Sequence, residues 1–220
     1  HEIKNPLTSL RSAVETLRIA KTPEMQARLL LVIEKDVRRL DRLVTDISNA
    51  SRLDAELVRE EMVRFDLRAL IETMADLNLS QADERDARIL VSPGEAGLYI
   101  RGLEGRIGQV LQNLLGNALS FASPKSSVTI SAYNTGSAIR VQVEDQGPGI
   151  PDENLGSIFE RFYSERPDHE EFGNHSGLGL SISRQIIEAH GGTIWAENVR
   201  PPNKSDTPPL GARFIFELPT

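Results

Sequence analysis

Asp145-Gln146-Gly147-Pro148-Gly149-Ile150-Pro151 follows a stretch in which Ile139, Val141 and Val143 alternate with polar residues, the period of a half-buried strand. A carboxylate leaving such a strand, followed by two glycines spaced by one residue, suits a purine. The carboxylate can accept a hydrogen bond from an exocyclic amine, and the glycines let main chain approach a flat ring. The same heptapeptide also describes an ordinary turn after a strand. Its neighbours in the chain decide between the two.

Upstream, Asn113-Leu114-Leu115-Gly116-Asn117 puts two amides four residues apart, on one helical face. They border an apolar stripe of Ile107, Val110, Leu111, Leu114, Leu115 and Ala118. An Asn oxygen can complete a magnesium shell whose other ligands are phosphate oxygens and water; two polar surface positions are the plainer alternative. Downstream, Ser176-Gly177-Leu178-Gly179-Leu180-Ser181 precedes a helix expected from about Ile182. Glycines before a helix start leave backbone N–H groups and the positive helix end free to face phosphates, although a simple glycine hinge has the same sequence. Phe159-Glu160-Arg161-Phe162-Tyr163 lies between. The charged run after it, Ser164 to His175, has few apolar anchors, as a ligand-ordered lid would.

The rest of the chain sets the frame. Its 220 residues are 39% hydrophobic, 26% charged and 5% aromatic, with a net charge of −7. That length holds one large or two modest domains. No apolar run approaches the ~20 residues of a membrane span, and no signal-peptide core is present. With no cysteine there is no disulfide framework and no thiolate metal site, in keeping with a reducing compartment. Residues 1–54 carry 10 Lys and Arg against 8 Asp and Glu, and the remainder 15 against 24. An acidic main body argues against nucleic-acid binding.

Ile3, Leu7, Leu10, Val14 and Leu17 form a heptad seam that Thr22-Pro23 interrupts. A second seam runs Leu30, Ile33, Val37, Leu40, Val44 and Ile47. Two antiparallel helices follow. Their wide apolar stripe calls for a partner, met by self-association into a four-helix bundle or by packing on the rest of the chain. Arg52–Glu61 lacks a clean seam and reads as a linker. Val63–Leu67 reads as a short strand, with Asp66 capping a helix to Leu79. Ile89–Val91 and Leu98–Ile100 read as strands around a Pro93-Gly94 turn, and Leu103–Phe121 as a helix. Val128–Tyr133 and Ala138–Glu144 form a hairpin over Asn134–Ser137. A helix Ile182–Ala189 stops at His190-Gly191-Gly192. Thr193–Val199 and Ala212–Leu218 are closing strands around a Pro-rich loop. Strands with helices on one side make residues 62–220 an α/β sandwich.

In this order the amide helix, the Asp145–Pro151 turn, Phe159–Tyr163 and the Gly177–Leu180 turn resemble the asparagine, first glycine, phenylalanine and second glycine boxes of sensor histidine kinases. His1-Glu2-Ile3-Lys4-Asn5-Pro6-Leu7 is similar to that family's histidine box. The resemblance spans nearly the whole chain. It implies an α-helical hairpin forming a dimeric four-helix bundle (residues 1–57), followed by an α/β sandwich of the Bergerat ATP-binding type (residues 58–220). Carried over, His1 accepts the phosphoryl group, Glu2 holds the imidazole, and Asn5 orients water for dephosphorylating the partner. ATP with Mg²⁺ is then held by Asn113, Asn117, Phe121, Asp145, Gly147, Gly149, Ile150, Phe162, His175, Ser176, Gly177, Leu178, Gly179 and Leu180. Asn117 is the metal ligand and Asp145 the adenine acceptor. The implied partners are a second copy and a response-regulator receiver domain, with no nucleic acid. Membrane attachment comes only through an upstream region, making this the cytoplasmic portion of an inner-membrane sensor.

Residue chemistry bears on the histidine box. An imidazole nucleophile needs one nitrogen free and the other held. Residues i and i+1 do not share a helical face, so a Glu2 contact needs a distorted helix or an angled rotamer. Pro6, which cannot donate to the Glu2 carbonyl, supplies a cause for the distortion. Asn5-Pro6 equally reads as a helix cap followed by proline at the first helical position, with His1–Lys4 a frayed tail. Three departures stand out. Ser120 replaces a common basic residue, for which Lys125, Arg161 or Arg166 are candidates, and His175 replaces a common glycine. Asn113 stands where the hydrolysing relatives, such as gyrase-like ATPases, carry a glutamate base. A site without that base spares ATP until a nucleophile arrives. A nucleotide-binding scaffold and a protein serine kinase are the alternatives. His169 and His190 belong to no motif and read as surface and cap residues.

Overall fold

The computed structural model describes residues 4–92, 94, 97–161, 163, 177–202 and 207–220. The chain divides into two compact units, His1–Ala55 with Glu160–Gly179 and Glu56–Phe159 with Leu180–Thr220.

The first unit is helical. Helix α1 (Lys4–Leu17) and the 37-residue α2 (Pro23–Arg59) follow one another across a short turn. Thr22 accepts the Met25 N–H at 3.3 Å and Pro23 takes the first helical position, where its missing N–H costs nothing. The Gln26 amide closes the turn on the Ala20 carbonyl at 3.1 Å. On α2 the seam stays uncovered: Leu30, Val37 and Val44 are each half exposed or more. The helix also continues through most of the expected linker, ending at Arg59. Charged residues without a seam still favour a helix once its ladder is running.

In the second unit β1 (Val63–Asp66) leads into α3 (Leu67–Leu77), whose first turn Asp66 caps by accepting the Arg68 N–H at 3.0 Å. The expected helix to Leu79 breaks at Asn78, and a short α4 (Leu79–Glu84) follows. Asn78 is buried. It donates to the Met74 carbonyl at 2.7 Å and exchanges two bonds with Gln112, at 2.9 and 3.0 Å. A fully satisfied buried amide outweighs one turn of helix. Then come β2 (Arg88–Ser92), β3 (Tyr99–Gly102), α5 (Glu104–Phe121), β4 (Ser127–Asn134), β5 (Ala138–Glu144), a 3-10 turn (Asp152–Asn154), α6 (Gly179–Ala189), β6 (Thr193–Val199) and β7 (Gly211–Pro219).

Five strands form one sheet in the order β2-β4-β5-β7-β6. Only β2 and β4 run parallel. The strands flanking Pro93-Gly94 do not pair with each other: β2 joins β4, and β3 pairs with β1 in a separate ribbon. Alternation along β4 and β5 sends Val128, Ile130, Val141 and Val143 inward, where they are fully buried. The stripe on α5 packs over them, with Ile107, Val110, Leu111, Leu114, Leu115 and Ala118 fully buried.

His190 caps α6 as expected, and does more. It is buried, and its Nε2 accepts the Leu103 N–H at 3.0 Å. That fixes the tautomer, so Nδ1–H donates to the Ile186 carbonyl at 2.7 Å. One ring thereby ties the end of α6 to the start of α5, where Leu103 has no capping side chain. A side chain at Gly102 would stand 2.8 Å from the ring. His190→Ala is expected to lower the unfolding free energy by about 1–3 kcal/mol, the cost of a buried donor left unpaired. Urea denaturation measures it, and an unchanged midpoint would show that Leu103 finds another acceptor.

Candidate functional site around Asp145

Asp145 is the only buried carboxylate among the described residues, 3% exposed. Its position follows from the sheet. Asp145 continues β5, and its N–H donates to the Ala212 carbonyl of β7 at 2.9 Å. Its Oδ1 accepts the Ala212 N–H at 3.1 Å and the Gly147 N–H at 2.9 Å. Both side-chain bonds fall on Oδ1. Among the described residues none falls on Oδ2, so one lone-pair face of a buried acceptor is left for a ligand donor.

Three glycines permit this arrangement. A Cβ on Gly147 would lie 2.7 Å from the Phe121 carbonyl. Gly149 has φ +78°, and a Cβ there would lie 2.4 Å from Pro209 and 2.8 Å from Asn198. Gly211 was not singled out from sequence, yet a Cβ there would stand 1.9 Å from the Asp145 carbonyl oxygen. A glycine opening a strand directly after a Pro-rich loop was the available signal.

The amide helix runs beside this turn. Phe121, at its end, touches Gly147 as described. Asn117 and Asn113 are half-buried on α5. The Asn113 amide donates to the Ser183 hydroxyl of α6 at 3.2 Å. Ser120 is buried and donates to the Asn117 carbonyl at 2.8 Å, which gives it a structural task. Ile150 follows Gly149, and its N–H is held by Asn198 at 2.8 Å. Asn198 and Arg200 were also missed, lying outside every recognised motif.

In the second glycine stretch Gly177 has φ +71° and Leu178 is buried. Helix α6 begins at Gly179, before the expected Ile182, so Gly179 and Leu180 form its first turn. In the first unit Asn5 is exposed on α1. His1, Glu2, Phe162, Arg166, His169, His175 and Ser176 lie outside the described residues. No cluster of three His, Cys, Asp or Glu side chains occurs among those described. A magnesium site completed by one asparagine and phosphate oxygens would need none. Two shallow grooves of about 400 and 430 Å³ lie elsewhere, one beneath Leu103 and Arg106 and one along α1. Asp145 lines neither. A buried carboxylate with an open oxygen is the better marker of a site.

Residues 1–56 match the family model described as the His Kinase A (phospho-acceptor) domain. Residues 102–220 match that of the Histidine kinase-, DNA gyrase B-, and HSP90-like ATPase. The chain belongs to the sensor histidine kinases of two-component systems. Similar curated relatives are the sensor protein ChvG of Rhizobium meliloti, 49% identical over 227 residues, and that of Agrobacterium fabrum, 50% identical over 226. Both alignments cover 100% of this chain but 39% and 37% of those proteins, so the chain spans under two fifths of the length of these relatives. Among solved structures, histidine kinase ThkA in complex with the response regulator TrrA has a TM-score of 0.77 at 28% identity, covering 100% of this chain and 59% of that one. Full-length ShkA in complex with AMPPNP has a TM-score of 0.69 at 28% identity, covering 100% and 44%. The α/β unit is thus the family's catalytic fold, and the α1–α2 hairpin precedes it as in the family.

Burial raises the Asp145 carboxyl above the usual carboxylate range. The Gly147 and Ala212 N–H groups pull it back, and Glu144 adds a smaller push upward. A raised acid pKa means the fold holds the proton more tightly than the unfolded chain does. Ionisation therefore costs stability: nothing below the unfolded value of about 4, a growing amount up to the raised value, and a constant amount above it. Asp145→Asn keeps an oxygen for both N–H groups and cannot ionise. Its thermal midpoint is expected to match wild type near pH ~3 and to equal or exceed it at neutral pH. A variant clearly less stable at pH 7 would show that Oδ2 holds the fold.

Proposed function

We propose that this chain uses ATP to phosphorylate its own His1 and passes the phosphoryl group to an aspartate of a receiver domain, which it also dephosphorylates. The observation that carries this reading is the open oxygen of buried Asp145, in a family whose members pair such a fold with a phospho-acceptor hairpin. Oδ2 accepts the exocyclic amine of adenine, and Phe121, Gly147, Gly149 and Ile150 form the wall behind the base. By the family resemblance, Phe162, His175, Ser176, Gly177, Leu178, Gly179 and Leu180 are assigned to the phosphates, and the N-terminus of a helix such as α6 favours negative charge. Asn113 and Asn117 would border the triphosphate, and Asn117 would hold the Mg²⁺. The metal supplies charge neutralisation on the phosphates.

One free ring nitrogen of His1 attacks the γ-phosphorus, the bond to the ADP oxygen breaks, and Glu2 steadies the other ring nitrogen and accepts its proton. Asn113 cannot act as a base, so water is not activated in the meantime. Catalysis is then positioning and charge neutralisation. The receiver aspartate next attacks the phosphohistidine, and Asn5 orients the water that later hydrolyses the acyl phosphate.

The exposed Leu30, Val37 and Val44 form the seam of a homodimer. Support for a receiver partner comes from the ThkA–TrrA complex, and support for nucleotide from ShkA with AMPPNP. No described helix is long and apolar enough to cross a membrane. We place the chain at the cytoplasmic end of a longer membrane sensor, residues 1–57 serving dimerisation and phosphotransfer and 58–220 catalysis.

Incubation with γ-labelled ATP and Mg²⁺ is the test. Acid-labile, alkali-stable label is expected, absent in His1→Gln and reduced by two orders of magnitude or more in Asn117→Ala, on the scale of other removed charge-stabilising groups. Alkali-stable label that survives His1→Gln would overturn the reading.

A further inference from the structure

The turn after Asp145 is gripped from outside by two residues of β6 and its continuation. Asn198 pairs with Ile150 as a neighbouring strand would: its Oδ1 accepts the Ile150 N–H at 2.8 Å and its Nδ2 donates to the Ile150 carbonyl at 2.6 Å. The same Nδ2 lies 2.9 Å from Asp152 Oδ1. Arg200 Nη2 reaches both Asp152 oxygens, at 2.9 and 2.8 Å, while its Nε donates to the Thr207 carbonyl at 3.3 Å. The loop after β6 is drawn in as well. Leu210 N–H donates to the Val199 carbonyl at 2.7 Å, and Pro209 fills the space where a side chain on Gly149 would stand.

We propose that Asn198 and Arg200 are positioning residues for the nucleotide, holding the Gly147–Asp152 turn in its binding shape through Ile150 and Asp152. This rests on the reading of Asp145 as the adenine acceptor. Pro148 and Pro151 fix their own φ, but Gly149 stands at φ +78° and Gly147 carries no side chain, so the turn's own backbone does not hold it in one shape unaided. Ile150 has no ladder partner of its own, and Asn198 supplies both halves of one. Without Asn198 the turn samples other conformations, and apparent affinity falls by the fraction of time it is misshapen. Arg200 acts through Asp152, whose carboxyl it holds below the usual range, with Asn198 contributing second. One turn after the glycines is thereby pinned to the same strand.

The test uses the full 220-residue chain and its Asn198→Ala, Arg200→Ala and Arg200→Lys variants. Displacement of a fluorescent ATP analogue by ATP gives affinity, and autophosphorylation gives KM and kcat. Asn198→Ala is expected to raise the KM for ATP about tenfold and Arg200→Ala about threefold, with kcat at saturating ATP within about twofold of wild type. Arg200→Lys, which keeps a cationic donor for Asp152, should recover more than half of the Arg200→Ala loss. A merely structural role would lower kcat and the thermal midpoint without this split. KM within twofold of wild type in both alanine variants, or kcat falling as far as kcat/KM, overturns the proposal. If Asn198→Ala does not fold, the partly exposed Arg200 pair decides it alone. Wild type that binds no ATP would instead overturn the Asp145 reading, a result distinct from wild type and variants binding equally well.

Discussion

The arrangement of the catalytic unit turns on one carboxylate oxygen that accepts two main-chain N–H groups from different parts of the chain. Asp145 Oδ1 joins Gly147, two residues on, to Ala212, which lies across the sheet on β7. The local bond shapes the turn and the distant one fixes where that turn sits. Because both fall on the same oxygen, the other is left over. A buried acid whose hydrogen bonds are unevenly shared between its oxygens is a poor structural device and a good recognition device. Burial opposes the charge more than the two N–H groups offset it, and among the described residues no cation is hydrogen-bonded to it, so the fold bears a cost there that a further donor would relieve.

That geometry restricts what can surround it. The strand delivering Ala212 must come so near the Asp145 carbonyl that residue 211 can have no side chain, and the helix ending at Phe121 comes as near to Gly147. Glycines there buy proximity and forfeit rigidity. The rigidity returns from β6 and the following loop, through Asn198, Arg200 and Pro209. Recognition, close approach and bracing thus occupy different elements. The recognising groups sit in motifs, while the bracing groups sit at a strand end that has no distinctive sequence.

Legibility divides along the same line. The turn, the amide helix and the hairpin were readable because each is a local pattern: period two along β4 and β5, period 3.6 along α5, glycines at fixed offsets. Side chains whose meaning depends on distant partners were not. His190 follows a helix and looks like a cap, yet its use is fixed by Leu103, 87 residues away. Asn78 sits inside a helical pattern and ends it, because Gln112 answers both its amide groups. Ile89–Val91 and Leu98–Ile100 read as strands around one turn, and each finds its partner elsewhere. Asn198 and Gly211 belong with these.

The two long helices show how one signal has two outcomes. The stripe on α5 is covered completely, by β4, β5 and α3. The stripe on α2 repeats at Leu30, Val37 and Val44, and those side chains remain at least half exposed. Periodicity gives the face to be buried and not the surface that buries it. Covering one such side chain is worth roughly 1.5–3 kcal/mol from full exposure, and each here has about half of that to gain. Three positions, doubled by the symmetry of a dimer, reach the lower part of the ~4–15 kcal/mol that association costs. On the proposed reading, an identical helix in a bundle covers the apolar face of this 37-residue helix.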